Sequence, residues 1–243
     1  MRIFAGPNGS GKSTIKSLIR PELLGVYVNP DLLESEMRRL GFLDLQTFEF
    51  NTTDREILAF FTASPLLQQS GLGESCAHLQ FNAGRLEFGT IPVNSYFASV
   101  AADFIRRKLL DARRSFTFET VMSSRDKVEF LRLARAAGYR TYLYYIATDD
   151  PQINVARVRH RVLMGGHDVP ADKIVSRYYR SLALLPEAIQ QTDRSFVFDN
   201  SGPDRVWVAE ITSGKILEMK SGQMPGWFRT FVWGKLHLGS NQP

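Results

Sequence analysis

The sequence predicts an α/β fold, with a mostly parallel sheet covered by helices on both faces. Three observations lead there. A short apolar run, Arg2 to Ala5, enters a glycine-rich turn and then a helical pattern. Strand-like and helix-like segments then alternate as far as about residue 200. Parallel strands need crossover connections, and helical crossovers cover the faces of the sheet.

The segments follow in order. Arg2–Ala5 reads as the first strand, buried in a parallel sheet. A helix is expected from Lys12 to about Arg20, stopped by Pro21. Gly25–Val28 reads as the second strand, and Asp31–Leu40 as an amphipathic helix closed by Gly41. Residues 44–90 hold helical fragments broken by Pro65, Gly71, Gly73 and Gly84, and read as a helical insertion. A long helix is expected over Val93–Arg114 and a strand over Ser115–Glu119. Asp126–Ala137 follows as a helix closed by Gly138. Tyr139–Thr148 is strand-like, being rich in Tyr and Ile. Pro151 opens the next helix at its first turn. A turn-rich loop spans Gly165–Pro170, and a helix runs to about Gln190. Ser195–Asp199 is the last core strand. Residues 206–219 read as a C-terminal hairpin. One domain over 1–243 is expected, with a lid at about 157–170.

Bulk properties narrow the function. The 243 residues are 44% hydrophobic and 23% charged, ordinary for a globular protein with a real core. Cys76 is the one cysteine, which excludes an internal disulfide and a cysteine-rich zinc site. No apolar run approaches the roughly 20 residues of a membrane span, and no secretory leader is seen, so no membrane partner and a cytoplasmic address are expected. The net charge is +5. Its arginines lie scattered in pairs such as Arg38-Arg39 and Arg113-Arg114, so polyphosphate handling explains the charge better than nucleic acid.

Gly6-Pro7-Asn8-Gly9-Ser10-Gly11-Lys12-Ser13 matches the phosphate-loop pattern G-x-x-x-x-G-K-[ST] without a mismatch. Glycines let the backbone curl so that amides face phosphate oxygens. Gly6, Asn8, Gly9, Ser10, Gly11, Lys12, Ser13 and Thr14 are the expected nucleotide-binding residues. Lys12 is expected on the β- and γ-phosphates and the Ser13 hydroxyl on Mg²⁺, with Thr14 near the α-phosphate. ATP is the expected nucleotide, since no Asn-Lys-x-Asp guanine-reading segment is present.

A phosphotransferase also needs a base, cations over the moving phosphoryl group and an acceptor pocket. Asp31, just after the second strand, is a candidate base or a helix cap. Glu119, at a strand end, is placed to bind an acceptor hydroxyl or orient the Mg²⁺ shell. Thr120, Ser123, Ser124 and Arg125 would line the acceptor pocket, or simply begin the next helix. Arg157 and Arg161, four apart beside Gly165-Gly166, share one helix face and suit a lid. Arg177 and Arg180 form a second pair. His167 reads as a turn cap. Asn200 and Ser201 follow the last core strand, where loops of this architecture often border the adenine, but the sequence itself shows only a turn.

Together these segments resemble the zeta toxin group of P-loop kinases. The carrying motifs are Ala5–Thr14, Asn29-Pro30-Asp31, Phe118-Glu119-Thr120 with Ser123-Ser124, Arg157-Val158 through Arg161-Val162, Gly165–Pro170, Arg177–Ser181 and Phe198–Ser201. The likeness covers most of 1–36 and 92–202. It implies a kinase-like P-loop domain that phosphorylates a hydroxyl of UDP-N-acetylglucosamine and is neutralised by a small helical antitoxin. It also implies that Asp31 is the base, Lys12 the phosphate lysine, Glu119 a substrate-binding carboxylate and Arg157 a lid arginine. Arg161 or His167 falls nearest the second lid arginine. Residues 44–90 lie outside the likeness.

Two other readings compete: an ATP-binding switch acting through a partner, and a kinase of nucleic-acid ends. Replacing Lys12 by Ala should abolish phosphoryl transfer and weaken nucleotide binding by roughly tenfold or more. Single-turnover transfer from labelled ATP, with a nucleotide titration, checks this; retained transfer would remove Lys12 from the machinery.

Overall fold

A computed structural model describes residues 1–166 and 168–236. His167, read above as a turn cap, lies outside the described residues.

In chain order the strands are β1 (Arg2–Ala5), β2 (Val26–Val28), β3 (Phe42–Asp44), β4 (Gln80–Asn82), β5 (Arg85–Glu87), β6 (Phe116–Thr120), β7 (Tyr142–Ala147), β8 (Arg194–Asp199), β9 (Val206–Thr212) and β10 (Ile216–Met219). The α-helices are α1 (Lys12–Ile15), α2 (Pro30–Leu40), α3 (Asp54–Thr62), α4 (Pro65–Gln69), α5 (Ser95–Asp111), α6 (Asp126–Ala136), α7 (Pro151–Leu163), α8 (Ala171–Gln190) and α9 (Gly226–Phe228). A seven-stranded sheet has the order β10-β9-β8-β7-β1-β6-β2, and a three-stranded sheet the order β3-β5-β4. The chain forms two compact units, 1–23 with 119–243, and 24–118.

In the first unit, β1 and β8 flank β7 in parallel, with Ile3 opposite Leu143 and Tyr145 opposite Val197. These strands are apolar on both faces because helices cover both, as parallel sheets require. β9 returns antiparallel to β8 with a bulge at Val197/Phe198, and β10 closes the hairpin. Ser213 and Gly214, with φ 52° and 66°, form its turn. The Lys215 amide closes it by donating to the Thr212 carbonyl at 3.0 Å. Helix α8 buries Tyr178, Leu182, Leu185 and Ile189 along one stripe. Tyr145, fully buried, shares a 2.9 Å hydrogen bond with the Ser181 hydroxyl, so its phenol does not sit unpaired in the core. Burial pushes the Tyr145 and Tyr178 phenols far above their usual range, so both stay neutral.

Helix α1 is shorter than expected. It is α-helical for four residues, tightens to a 3₁₀ turn over Lys16–Leu18, and ends at Ile19. The Thr14 hydroxyl donates to the Gly11 carbonyl and the Ser17 hydroxyl to the Thr14 carbonyl. Such side chains compete with the helical ladder for the same acceptors.

In the second unit, β2 runs parallel to β6, with Val28 opposite Phe118. Helix α2 is capped by the Asn29 side chain, which accepts from the amides of Asp31 and Leu32. The cap role considered for Asp31 therefore belongs to Asn29. Gly41, with φ 80°, ends α2 as expected. The 44–90 region is not purely helical. It contains α3 with a capping box from Thr53 and Glu56, the short α4, and the antiparallel strands β4 and β5, which complete a sheet with β3. Each strand is three residues long, too short for an alternating pattern to register.

Beyond the hairpin, Gly226–Trp233 forms a helical turn that the sequence reading did not anticipate. Trp227 is buried and its indole donates to Asp199 at 2.8 Å.

Because Leu182 is fully buried on α8, Leu182→Ala should cost about 3 kcal/mol of unfolding free energy. Urea denaturation measures it, and a loss under about 1 kcal/mol would contradict its core position.

Candidate functional site

The phosphate-loop residues, Glu119, Thr120, Arg157 and Arg161 all belong to the first unit. The loop leaves β1 at Gly6, whose amide donates to the Thr120 carbonyl at 3.3 Å. Gly6, Gly9 and Gly11 have φ of 144°, 73° and 97°, values that disfavour any side chain. Space demands glycine too. A Cβ on Gly9 would lie 2.6 Å from the Asn154 carbonyl oxygen.

Two asparagines hold the loop. The Asn154 side chain, fully buried on α7, donates to the Asn8 carbonyl at 2.6 Å. Its own oxygen accepts from the Thr148 hydroxyl, which fixes the amide orientation. The Asn200 side chain donates to the Ser10 carbonyl at 2.8 Å. Asn200 is held in turn by its own amide on the Ala147 carbonyl and by Arg157, whose Nη1 donates to the Asn200 carbonyl at 2.7 Å. Asp199 accepts from Trp227, the Ser201 hydroxyl and the Ser201 amide, so the whole 199–201 turn is braced.

The Lys12 ammonium arches back over the loop and donates to the Gly6 and Pro7 carbonyls, both at 2.9 Å. The Ser13 hydroxyl lies 3.3 Å from a carboxylate oxygen of Glu119, which is buried at 6% exposure. Asn8 Oδ1 and Ser10 Oγ are buried without a hydrogen-bond partner among the described residues. The Thr14 hydroxyl donates to the Gly11 carbonyl and accepts from Arg205 at 3.0 Å.

The acceptor candidates are not all alike. Thr120 accepts from the Met122 amide at 3.0 Å. Met122 is buried with φ 54°, a strained conformation for its type. Ser123 is half-buried. Ser124 is exposed and donates to Asp126, where it serves the start of α6. Arg125 is exposed and 3.9 Å from Glu187. Arg161 is exposed while Arg157 is half-buried. Gly165-Gly166 has a structural role at the end of α7. The Gly165 amide donates to Val162 and the Gly166 amide to Arg161, a helix stop in which Gly165 takes φ 84°. Arg177 is half-buried and Arg180 exposed on α8. Asp31 belongs to the second unit, where it is exposed in the first turn of α2.

Sequence reasoning missed Asn154, Arg205 and Trp227, and at Asn200 it saw only a turn. Asn154 left one signal, a polar residue on the apolar stripe with Val155 and Val158. Such buried amides need a specific partner.

Residues 93–211 match the family model described as Zeta toxin. Over that span the chain resembles the zeta toxins. The zeta-toxin-like span contains Glu119, Asn154, Arg157 and Asn200 and begins after the phosphate loop and Asp31. A chain of the crystal structure of AvrRxo1-ORF1:AvrRxo1-ORF2 with sulphate ions has the same fold, with a TM-score of 0.58 and 14% identity, covering 98% of this chain and 66% of that one. The structure of the pair with ATP gives a TM-score of 0.57 and 14% identity, covering 99% and 66%. A Haemophilus influenzae protein described as uncharacterized is 32% identical over 63 residues, 26% of this chain and 45% of the relative. The chain thus spans less than half of that curated relative and about two thirds of the AvrRxo1 chain. No helix among the described residues is long and apolar enough to cross a membrane.

Gly9→Ala should destabilise the loop by about 1–3 kcal/mol, from positive φ and the approach of Asn154, and abolish nucleotide binding. Thermal unfolding together with a nucleotide titration tests both, and wild-type binding in this variant would contradict the described packing.

Proposed function

We propose that this chain is an ATP-dependent phosphotransferase that moves the γ-phosphate to a hydroxyl of a small molecule, with a UDP-N-acetyl sugar as the acceptor class. The observation that carries the reading is the Ser13 hydroxyl set 3.3 Å from the buried Glu119 carboxylate beside a complete phosphate loop. A hydroxyl and a carboxylate are the hard oxygen ligands that Mg²⁺ takes, with phosphate oxygens and water filling its octahedron. Bound there, Mg²⁺ would neutralise charge on the β- and γ-phosphates.

The remaining steps fall to the chain's own groups. Lys12 would exchange its two loop carbonyls for β- and γ-phosphate oxygens, keeping its charge paired as the phosphoryl group moves. Thr14 would contact the phosphates from the start of α1. Asp31 is the proposed general base, and its carboxylate is not engaged in capping α2, because Asn29 serves there. Glu119, Thr120 and Ser123 would hold the acceptor, with Ser124 and Arg125 at the outer rim. Arg157 and Arg161, on the proposed lid over 157–170, would carry guanidinium charge to the transferring group. Arg157 uses one N–H on Asn200, and a guanidinium has five.

The structures that share this fold were solved as AvrRxo1-ORF1:AvrRxo1-ORF2 pairs, one with ATP. A second protein is therefore the proposed partner, an antitoxin as the resemblance to zeta toxins implies, and ATP the proposed phosphate donor; the cytoplasm is the proposed location.

Mass spectrometry of a metabolite extract incubated with the protein and MgATP should find one metabolite heavier by one phosphate. Asp31→Asn should keep fold and nucleotide affinity yet slow transfer by about 10²-fold or more. Acceptor-independent ATP hydrolysis alone, or near-normal transfer in Asp31→Asn, would count against the reading and the base assignment respectively.

A further inference from the structure

The peptide unit is planar and trans, so the carbonyl of one residue and the amide of the next point in opposite directions. Holding a carbonyl therefore aims an amide. Asn154 holds the Asn8 carbonyl, which turns the Gly9 amide away from α7. Asn200 holds the Ser10 carbonyl, which turns the Gly11 amide away from the 199–201 turn. Neither glycine amide has an acceptor among the described residues. The glycines themselves offer no steric resistance to peptide rotation, so their freedom must be removed from outside the loop.

From this geometry we infer that Asn154 and Asn200 are positioning residues that aim the Gly9 and Gly11 amides at the phosphates, and that α7 controls both. The inference rests on the nucleotide-binding reading of the loop. Helix α7 reaches the loop by two routes. Asn154 touches it directly, and Arg157, three residues on and so on the same face, grips the carbonyl of Asn200. The proposed lid helix and the phosphate cradle are thus one mechanical part. A shift of α7 would turn the loop peptides as well as move the arginines. Both asparagines must be amides. An aspartate in either place would set a carboxylate against a carbonyl oxygen, with nothing to donate and a negative charge beside the anion site.

The test is fluorescence titration of the full chain with a labelled ATP analogue and Mg²⁺, repeated with the corresponding AMP analogue. Asn200→Ala should raise the ATP-analogue Kd by about ten- to a hundredfold, and Asn200→Asp by more. AMP-analogue affinity should fall less, because fewer phosphates meet the loop. Asn154→Ser supplies a second variant with a smaller change at the buried position. Asn94→Ala removes the cap of α5 in the other unit and controls for stability. It should lower the thermal midpoint and leave the Kd unchanged. Wild-type affinity in both Asn200→Ala and Asn154→Ser, or equal losses for the AMP and ATP analogues, would overturn the inference while the nucleotide reading stands. A wild-type chain that binds neither analogue would overturn that reading and this inference with it.

Discussion

The hydrogen bonds from Asn154 and Asn200 to two loop carbonyls carry more of this architecture than any apolar contact near the site. A glycine-rich loop has almost no side chains to bury and a large choice of backbone conformations. Its shape must come from partners. Here those partners are side-chain amides whose own positions are set by rigid elements. Asn154 is fixed by the body of α7 and by Thr148 at the end of β7, and Asn200 by a turn braced on Asp199. The accuracy of the sheet is passed to the loop through two donors, in the way that supporting hydrogen bonds orient functional groups elsewhere.

The Asp199 turn extends that bracing outward. A buried carboxylate costs free energy unless several donors surround it. Asp199 accepts from an indole, a hydroxyl and an amide. The Ser201 hydroxyl accepts in turn from the Asp149 amide, and Asp149 accepts from the Trp227 amide. The segment around Trp227 thereby ties the loop that leads from β7 into α7, which carries Asn154, to the turn after β8 that carries Asn200. A C-terminal segment that adds nothing to the sheet still fixes the floor of the site.

Much of this was legible in the sequence, for identifiable reasons. β1 was readable as a short apolar run ahead of the glycine-rich turn, and β7 from its Tyr- and Ile-rich composition. The phosphate loop was readable because every residue type in it has a separate task. The zeta-toxin likeness was readable only from many small motifs together. Three things were hidden. Strands β3, β4 and β5 are too short to show a period. The early end of α1 depends on which carbonyls Thr14 and Ser17 choose. Asn154 and Asn200 act across separations of 146 and 190 residues, and no local pattern marks a lone asparagine as a long-range donor. Ser13 and Glu119, 106 residues apart, were each named, but their adjacency needed the fold.

The pairing of Arg2 with Tyr142 has a consequence for biosynthesis. On the ribosome the first dozen residues emerge long before the strand beside which they belong, and longer still before residue 200. Contacts so distant in sequence form late, after loop closure across the intervening chain. A growing polypeptide therefore carries the complete phosphate-loop motif for some 190 residues of synthesis before Asn200, part of the scaffold that shapes it, is added. Fragments released before Asn200 is added would keep the motif and lack its geometry.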